Sequence, residues 1–259
     1  MRTTWQVAPS GSLGSWTDRT AVVAGAAGLL GRELVGALVA NGAQVHALDI
    51  NGAALEELSR LHRGRVQCHV VDLTDPRAVG AVVNTLAAQV SALDALIHCE
   101  GMNDYPTADE AIGSDQWHRI LGINLVAPAT LTDALVPLLG RVPGSGVVMV
   151  TSINGRATSI WLHYAAAKAG LTKLTKDLAA RLAPRGIRVN AVAPGWFAPP
   201  NPDGTAPRSA GIALTQSALP VEAVANAVLF LAHPLLSPCT TGQELAVDGG
   251  TEIASNTVR

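Results

Sequence analysis

The sequence predicts an α/β fold: one doubly wound domain with a seven-stranded parallel sheet and helices on both faces. Short runs rich in Val, Ile and Ala alternate with longer segments whose apolar residues have helical spacing. The chain has 259 residues, of which 48% are hydrophobic, and this is enough to bury one large core. Strands that alternate with helices form right-handed units, so the sheet is expected to be parallel and covered on both sides.

Each predicted strand is a short apolar run that stops at glycine or at a polar cluster. The strands are predicted at 20–26, 43–50, 66–73, 93–101, 145–153, 187–195 and 242–250. The helices have apolar residues three and four positions apart, and their ends carry signals such as Pro76 at a start and Asn41-Gly42 at a stop. The helices are predicted at 29–42, 52–62, 76–90, 115–139, 163–183 and 220–234.

Two segments fall outside this alternation. Residues 1–16 contain Gly, Ser and Pro without an apolar period, so we expect a flexible N-terminal extension before a domain at 17–259. Residues 196–219 are rich in Pro and Gly. A loop of that length in a compact domain is usually functional, and we expect it to contact the substrate.

Composition excludes several classes of partner. The net charge is -2 and only 15% of residues are charged, which predicts no attraction to nucleic acid or to an anionic membrane. No apolar run approaches the roughly 20 residues that span a bilayer, and no apolar signal segment follows Arg2. Three cysteines without metal-like spacing predict a reduced, cytoplasmic location, and the seven histidines show no metal-binding pattern, so no metal is expected.

Gly25, Gly28 and Gly31 form a G-x-x-G-x-x-G turn between the first strand and the first helix. Glycines there permit a tight turn and let a pyrophosphate approach the backbone, where the helix N-terminus offers free N–H groups. The pattern alone is weak, and a simple strand–helix turn is the alternative. Its place at the first βα junction favours a nucleotide site in a Rossmann-like domain.

An acidic residue, Asp49, ends the second predicted strand 18 residues after Gly31. A carboxylate there can accept hydrogen bonds from the adenosine ribose hydroxyls and would repel a 2′-phosphate, so the sequence predicts NAD (NADH) in preference to NADP. A helix cap or a solvated strand end is the alternative. Asp72 is a second candidate, for which the alternatives are a contact with adenine and a cap on the following helix.

Tyr164 and Lys168 are four residues apart, so they lie on one face of the helix predicted at 163–183. An ammonium favours phenolate and should lower the pKa of the tyrosine, which could then exchange a proton with an alcohol or a carbonyl. Ser152 ends the strand that precedes this helix, and its hydroxyl could bind the same substrate oxygen.

These residues and their order resemble the classical short-chain dehydrogenases/reductases over roughly residues 16–254. "TSING" carries the catalytic serine, Ser152; "YAAAK" carries Tyr164 and Lys168; "GINL" carries Asn124; and "IRVNAVAPG" precedes the nicotinamide. The resemblance implies hydride transfer between nicotinamide and a secondary alcohol or ketone. It implies that Tyr164 is the acid/base, that Lys168 holds the nicotinamide ribose and that Asn124 holds a water.

The resemblance also implies a cofactor-binding set and an assembly. The assembly is a homotetramer, or a homodimer, in which two long helices at about 107–140 and 162–183 pack against symmetry mates. The cofactor-binding residues are Gly25, Gly28, Leu30, Gly31, Asp49, Ile50, Asp72, Leu73, Cys99, Glu100, Gly101, Tyr164, Lys168, Pro194, Gly195 and Phe197.

The sequence departs from the family pattern at several positions. Ala24 replaces the threonine of the first motif and the middle glycine is shifted to Gly28, so we expect a phosphate turn of different shape. Glu100 replaces a small residue; it could bind a ribose hydroxyl, reach a cationic substrate or point away. Pro199 replaces a threonine that contacts the carboxamide, so that contact is expected to be lost. The Ser152–Tyr164 spacing is one residue shorter than is common.

The substrate is the least constrained prediction. The candidate substrate residues, chosen by their loop positions, are Asn154, Trp161, His163, Trp196 and Asp203. A structural role is the more frequent one for His98 and His163, and packing is the more frequent role for Trp117 and Trp161. Polar residues in the loop at 196–219 favour a sugar, a cyclitol or an amino-polyol over a steroid. The alternatives are an NAD-dependent epimerase or isomerase, and a cofactor-binding sensor or scaffold without turnover.

Overall fold

The computed structural model describes residues 14–107, 110–198, 201 and 217–255. Most of the predicted extension and of the loop at 196–219, including Pro199, therefore lies outside the described residues. Within them, the predicted seven-stranded parallel sheet is confirmed, in the order β3-β2-β1-β4-β5-β6-β7. Its strands are β1 Thr20–Ala24, β2 Gln44–Asp49, β3 Val66–Val70, β4 Ala95–His98, β5 Gly146–Val150, β6 Arg188–Pro194 and β7 Glu244–Val247.

All six predicted helical segments are present, and a short seventh segment follows β7. The helices are α1 Leu29–Ala40, α2 Gly52–Leu61, α3 Pro76–Gln89, α4 Ser114–Leu121, α5 Ala127–Leu139, α6 Leu162–Leu182, α7 Val221–Ala232 and α8 Thr251–Ser255. Side-chain caps explain two of the starts. Asn51 accepts from the Ala54 N–H before α2, and Asp75 accepts from the Arg77 N–H before α3.

The sheet buries both of its faces, as parallel sheets do. Successive residues of one strand enter different cores: Val23 packs with α1 and α7, whereas Val22 packs with α3, α5 and α6. The strand order reverses between β1 and β4, which are neighbours in the sheet. Ligands of such sheets bind at the carboxyl ends of the strands beside this reversal.

The predicted helix at 115–139 is two helices joined by a π-helical turn at Gly122–Val126, and the start near 107 implied by the resemblance is wrong, because α4 begins at Ser114. The physical cause lies in Asn124. Its side-chain Nδ2 donates to the Ile120 carbonyl at 3.0 Å and to the Met102 carbonyl at 2.8 Å. The side chain thereby occupies the carbonyl four residues back, and π turns of this kind are frequent at functional sites.

Trp16, the last residue of the predicted extension, is completely buried. Its indole packs edge-to-face on the His233 ring, with ring centroids 5.0 Å apart. The backbone N–H of Trp16 donates to the Asn41 carbonyl at 2.8 Å. An indole offers a large apolar surface, and its burial makes Trp16 part of the core of the domain.

One helical run in the described part of the chain, Ser114–Leu139, is long and apolar enough to cross a membrane by length and composition alone. It includes the π turn, and 44% of its most apolar window is buried against the rest of the domain. Core helices have the same length and composition.

Candidate active site

A cavity of about 830 Å³ opens at the carboxyl edge of the sheet, beside the reversal between β1 and β4. It runs from the start of α1 to the first turns of α6. Among the described residues that line it, Lys168 and Glu100 are the only ones with a charged side chain. Asn124, Ser152 and Tyr164 line the same cavity, so the structure brings together the four residues predicted to be catalytic.

The three glycines of the turn have two roles: two of them allow close backbone packing, and the third lines the cavity. Gly25 has φ +75°, and a Cβ on it would lie 2.4 Å from the Glu100 nitrogen; a Cβ on Gly31 would lie 2.1 Å from the Gly25 carbonyl oxygen. These two glycines let backbone segments touch. Gly28 instead lies on the cavity wall and begins α1, which has no side-chain cap and no acidic residue in its first turn. The free N–H groups and the positive dipole end suit an anion.

Asp49 ties the end of β2 to this turn. Its Oδ2 accepts from the Ala27 N–H and its Oδ1 accepts from the Asn51 N–H, both at 2.9 Å. A carboxylate oxygen can accept more than one hydrogen bond, so both oxygens retain capacity for a ligand.

The other predicted cofactor residues fall into two groups. Leu30, Cys99, Gly101, Pro194, Gly195 and Phe197 line the cavity with Gly28, Gly31 and Glu100. Gly25, Asp49, Ile50, Asp72 and Leu73 lie outside its lining, at the ends of β1, β2 and β3.

One alternative for Asp72 was that it caps the following helix, and the structure contradicts this alternative. Its Oδ1 accepts from the backbone N–H and the hydroxyl of Thr74, and these bonds lower the pKa of the carboxyl. Asp75 is the cap of α3.

Tyr164 and Lys168 lie one turn apart on α6, with the Lys168 Nζ 5.6 Å from the centre of the Tyr164 ring. Lys168 is 3% exposed, and its Nζ donates to the Val150 carbonyl at 2.9 Å. Ser152 follows β5, and Asn154 donates to its Oγ from the backbone N–H at 3.2 Å and from Nδ2 at 3.4 Å.

The pKa of Tyr164 differs from the sequence prediction. Burial raises it to about 12, and the opposing contribution, a hydrogen bond that lowers the pKa, comes from Ser152 rather than from Lys168. Burial lowers the pKa of Lys168 itself to about 8, against the nearby Glu100 and Cys99, which raise it. The prediction missed this because spacing of four places two groups on one face without saying how deeply they are buried.

The buried side chain of Glu100 belongs to a hydrogen-bonded chain with His98 and Thr132. Its Oε1 pairs with the His98 Nδ1 at 2.7 Å, and the His98 Nε2 pairs with the Thr132 hydroxyl at 2.9 Å. A carboxylate only accepts, so Nδ1–H donates to Glu100 and the Thr132 hydroxyl can donate to Nε2. The Glu100 Oε2 and the Asn124 Oδ1 are buried and have no hydrogen-bond partner among the described residues.

His163 is not a cavity residue, which corrects its prediction as a substrate contact. It is fully buried; its Nδ1 accepts from the Tyr164 N–H at 2.9 Å, and its Nε2 pairs with Asp104 Oδ1 at 2.7 Å. Trp117 packs on the ring, with centroids 6.0 Å apart. His163 therefore holds the start of α6.

Asn154, Trp161 and Trp196 do line the cavity, and Asp203 lies outside the described residues. Their neighbours Asn103 and Tyr105 were not predicted. Tyr105 has a positive φ of 49° and packs edge-to-face on Trp161 at 5.1 Å, so Trp161 serves both packing and the cavity wall. Asn103 presents a buried Nδ2 that has no partner within the described part of the chain. No sequence signal marked Asn103, and the only signal for Tyr105 is the scarcity of tyrosine, since the chain has two.

A family model described as "Enoyl-(Acyl carrier protein) reductase" matches residues 25–252. The chain is 34% identical over 243 residues to a 3-alpha-(or 20-beta)-hydroxysteroid dehydrogenase of Mycobacterium tuberculosis, covering 92% of this chain and 91% of that one. It is 30% identical over 246 residues to a 3-oxoacyl-acyl-carrier-protein reductase of Thermotoga maritima, covering 91% and 98%.

The chain belongs to the short-chain dehydrogenase/reductase family. A solved member, carveol dehydrogenase of Mycobacterium avium in complex with NAD, superposes with a TM-score of 0.84 at 28% identity, over 93% of this chain and 99% of that one. Because its relatives are named dehydrogenases and reductases, this short-chain dehydrogenase/reductase is an oxidoreductase, as the sequence predicts.

Proposed function

We propose that this short-chain dehydrogenase/reductase uses NAD to interconvert a cyclic secondary alcohol and its ketone, and that the substrate carries further polar groups. The observation that carries the proposal is the single cavity in which Ser152, Tyr164 and Lys168 lie beside the uncapped start of α1. One end of the cavity suits an anionic cofactor, and the other holds a hydroxyl pair suited to an alcohol oxygen.

The residues present fit a dinucleotide. Gly28 leaves the start of α1 open to a pyrophosphate, and Lys168 offers an ammonium of which one N–H is used by Val150. The buried, unpartnered Glu100 Oε2 and Asn124 Oδ1 can accept hydrogen bonds from a ligand or a water. Asp49 remains the residue proposed to bind the adenosine ribose.

A bound nicotinamide supplies or accepts the hydride. Tyr164 exchanges the proton at the substrate oxygen, and Ser152 donates to or accepts from that same oxygen. Because the pKa of Tyr164 is raised to about 12, its phenol is protonated at neutral pH and ready to donate to a ketone. Lys168 holds the cofactor ribose, and the π turn fixes Asn124 against Ile120 and Met102.

Preference for NAD over NADP rests on Asp49. The following residues, Ile50, Asn51 and Gly52, offer no cation for a 2′-phosphate. The hydrogen bonds from Ala27 and Asn51 hold the carboxylate at the end of β2, where a second negative charge would be repelled.

The polar substrate class is supported by Asn103. Its buried Nδ2 has no protein partner within the described residues, and leaving such a donor unpaired costs about 1–3 kcal/mol. Asn154 adds an amide, while Tyr105, Trp161 and Trp196 supply flat apolar surface. A sugar, cyclitol or amino-polyol ring can pack on such aromatic surface while its polar groups bind the amides.

A second candidate is a cyclic alcohol without further polar groups. The aromatic lining favours it, and the named relatives include a hydroxysteroid dehydrogenase and a carveol dehydrogenase. A substrate of this kind would leave Asn103 Nδ2 unpaired.

We also propose that the enzyme forms a homotetramer, or a homodimer. Exposed apolar side chains support it, because Val126 directly before α5, Ile160 shortly before α6 and Leu162 at the start of α6 are each more than half exposed. Light scattering on the purified protein would give the mass directly, and a monomer would overturn the proposal.

The cofactor experiment is a calorimetric titration with NADH and with NADPH, on the wild type and on Asp49→Asn. The Asn variant keeps an acceptor for Ala27 and removes the charge. We expect NADH to bind more tightly than NADPH, and the ratio of affinities to fall about tenfold or more in the variant. An unchanged ratio would remove Asp49 as the selecting residue. Binding of neither cofactor would favour the sensor or scaffold alternative.

The substrate experiment compares cyclic polyols with apolar cyclic alcohols, on the wild type and on Asn103→Leu. We expect the wild type to oxidise a polyol, and the variant to lose about tenfold or more in kcat/KM for it while retaining activity toward any apolar alcohol. Activity restricted to apolar alcohols, insensitive to Asn103, would overturn the polar class. NAD retained through purification together with inversion of a substrate carbon would indicate an epimerase.

A further inference from the structure

Glu100 is a buried carboxylate in a cavity that has no second one among its described lining residues. Its side chain is 4% exposed, and His98 holds one of its oxygens. The other oxygen, Oε2, is buried without a partner in the described structure. A buried carboxylate costs free energy unless a donor or a positive charge compensates it, so this arrangement calls for a cation nearby.

The cation that shares the cavity is Lys168. It is buried, and the described structure gives its ammonium one hydrogen bond, to the neutral Val150 carbonyl. Gly101, which follows Glu100, touches the same space: a Cβ on it would lie 3.4 Å from the Lys168 Nζ and 2.6 Å from the Asn124 Oδ1. The residue next to Glu100 in the chain therefore lies against the ammonium.

We propose that Glu100 is the counterion of Lys168: a positioning residue, fixed by His98, whose negative charge keeps the buried ammonium protonated. Glu100 does this through space, since the described structure shows no direct hydrogen bond between the two side chains. The proposal rests on the proposed function for its catalytic meaning, because a protonated Lys168 is the form that donates to a ribose.

The other groups that face Lys168 cannot take this role. Cys99 adjoins it, but burial, aided by Glu100 and Asp49, raises the pKa of its thiol well above the usual range, so the thiol is neutral. Tyr164, with a pKa of about 12, is neutral as well. The π turn contributes the uncharged amide of Asn124. His98 contacts Glu100 through Nδ1 and Thr132 through Nε2, and an imidazole ring carries no negative charge that could compensate an ammonium.

Two opposing effects set the pKa of Lys168: its burial and the nearby charges. Burial lowers it to about 8, and Glu100 is the larger of the two groups that oppose the decrease. Removing the charge of Glu100 should lower the pKa further, so that Lys168 would lose its proton near neutral pH.

The test is an NMR titration of the lysine side chains, which the sequence makes simple because it has three lysines: Lys168, Lys173 and Lys176. Protein labelled with ¹³C at the lysine side chains is titrated without cofactor or substrate, in the wild type and in Glu100→Gln. Gln keeps the size and can still accept from His98. Lys173 and Lys176 are exposed and serve as internal references, and Lys168→Met assigns the third signal.

We expect the Lys168 midpoint to fall by about one pH unit or more in Glu100→Gln, as removal of a nearby opposite charge predicts. Glu56→Gln, an exposed change of the same kind on α2, should leave it unchanged. If Glu100→Gln does not fold, Glu100→Ala replaces it and should show the same fall. An unchanged or raised midpoint would overturn the proposal.

The outcome is independent of whether the proposed oxidoreductase function is right. Because the titration uses neither cofactor nor substrate, a protein that fails to bind NADH could still show the expected fall. Conversely, NADH binding and turnover with an unaltered Lys168 midpoint in Glu100→Gln would overturn only the counterion proposal.

Discussion

The His163 Nδ1 accepts a hydrogen bond from the backbone N–H of Tyr164, so a fully buried imidazole fixes the first turn of the helix that carries the proposed acid/base. Trp161 precedes this helix without a side-chain cap. His163 satisfies one of the N–H groups that the first turn leaves open. Its Nε2–H donates to Asp104, which also accepts from Arg119 and Gln116.

We therefore expect His163→Leu to lower the free energy of unfolding by about 1–3 kcal/mol and to reduce kcat more than it raises KM, since Tyr164 loses its anchor. His163→Asn should retain more activity, because its Oδ1 can replace Nδ1 as the acceptor. Chemical denaturation and steady-state kinetics measure the two effects. The exposed His118→Gln is the control, and equal activity in His163→Leu and the wild type would contradict the role.

The hydrogen bond between His163 and Asp104 should make the stability of the protein sensitive to acid. Burial alone would raise the pKa of Asp104, but hydrogen bonds from His163, Arg119 and Gln116 outweigh it and lower the pKa below its usual 3.8. A lowered folded-state pKa contributes stability above 3.8 that is lost as the pH falls through the lowered value. Asp104→Asn should therefore flatten the acid limb of the stability–pH curve; an unaltered limb would count against this contact.

The lowered pKa of Lys168 predicts a pH dependence of stability. This pKa falls from 10.5 in the unfolded chain to about 8 in the folded one, so the unfolded chain binds more protons between these values and stability rises with pH there. Lys168→Met removes this titration, and we expect the variant to lack this rise in stability.

Thermal unfolding at several pH values measures this. The wild type should gain stability relative to Lys168→Met from pH 8 to pH 10.5, while the affinity of the variant for NADH and its turnover are reduced at every pH. An equal rise in stability in the variant and in the wild type would show that Lys168 does not cause it.

Arg188 secures the end of α7 from β6. Its guanidinium is buried and donates to the carbonyls of Leu231, Ala232 and His233 within 3.3 Å, and to Ser237 at 2.9 Å. These carbonyls are the unsatisfied groups of a helix end. Arg188→Met should cost about 2–4 kcal/mol by chemical denaturation, whereas the exposed Arg185→Met should cost almost nothing. Equal costs would show that the buried bonds contribute no net stability.

The alternation of apolar runs was sufficient to predict the seven strands and their parallel arrangement, because burial on both faces leaves a strong local pattern. The π turn was not predictable, because it depends on hydrogen bonds from the Asn124 side chain to the carbonyls of Ile120 and Met102. The helical periodicity of apolar residues carries no information about such side-chain hydrogen bonds.

In the candidate site too, some features were predictable from the sequence and others were not. Short spacings identified Tyr164 and Lys168, and position at a strand end identified Ser152. The pairing of His98 with Glu100 was missed because the orientation of His98 depends on Thr132. Thr132 lies 34 residues after His98 in the chain and contacts it only in the folded domain. Burial was missed as well, and burial decides the direction of the pKa shifts of Tyr164 and Lys168.

The most direct test of the proposed acid/base is Tyr164→Phe, which removes one hydroxyl from the cavity. Turnover of the best alcohol or ketone found with the wild type is measured by the absorbance of the reduced nicotinamide, and NADH affinity is measured by calorimetry. We predict a loss of turnover of at least about a hundredfold with NADH affinity nearly intact. Turnover comparable to that of the wild type would contradict the assignment of Tyr164 and the mechanism built on it.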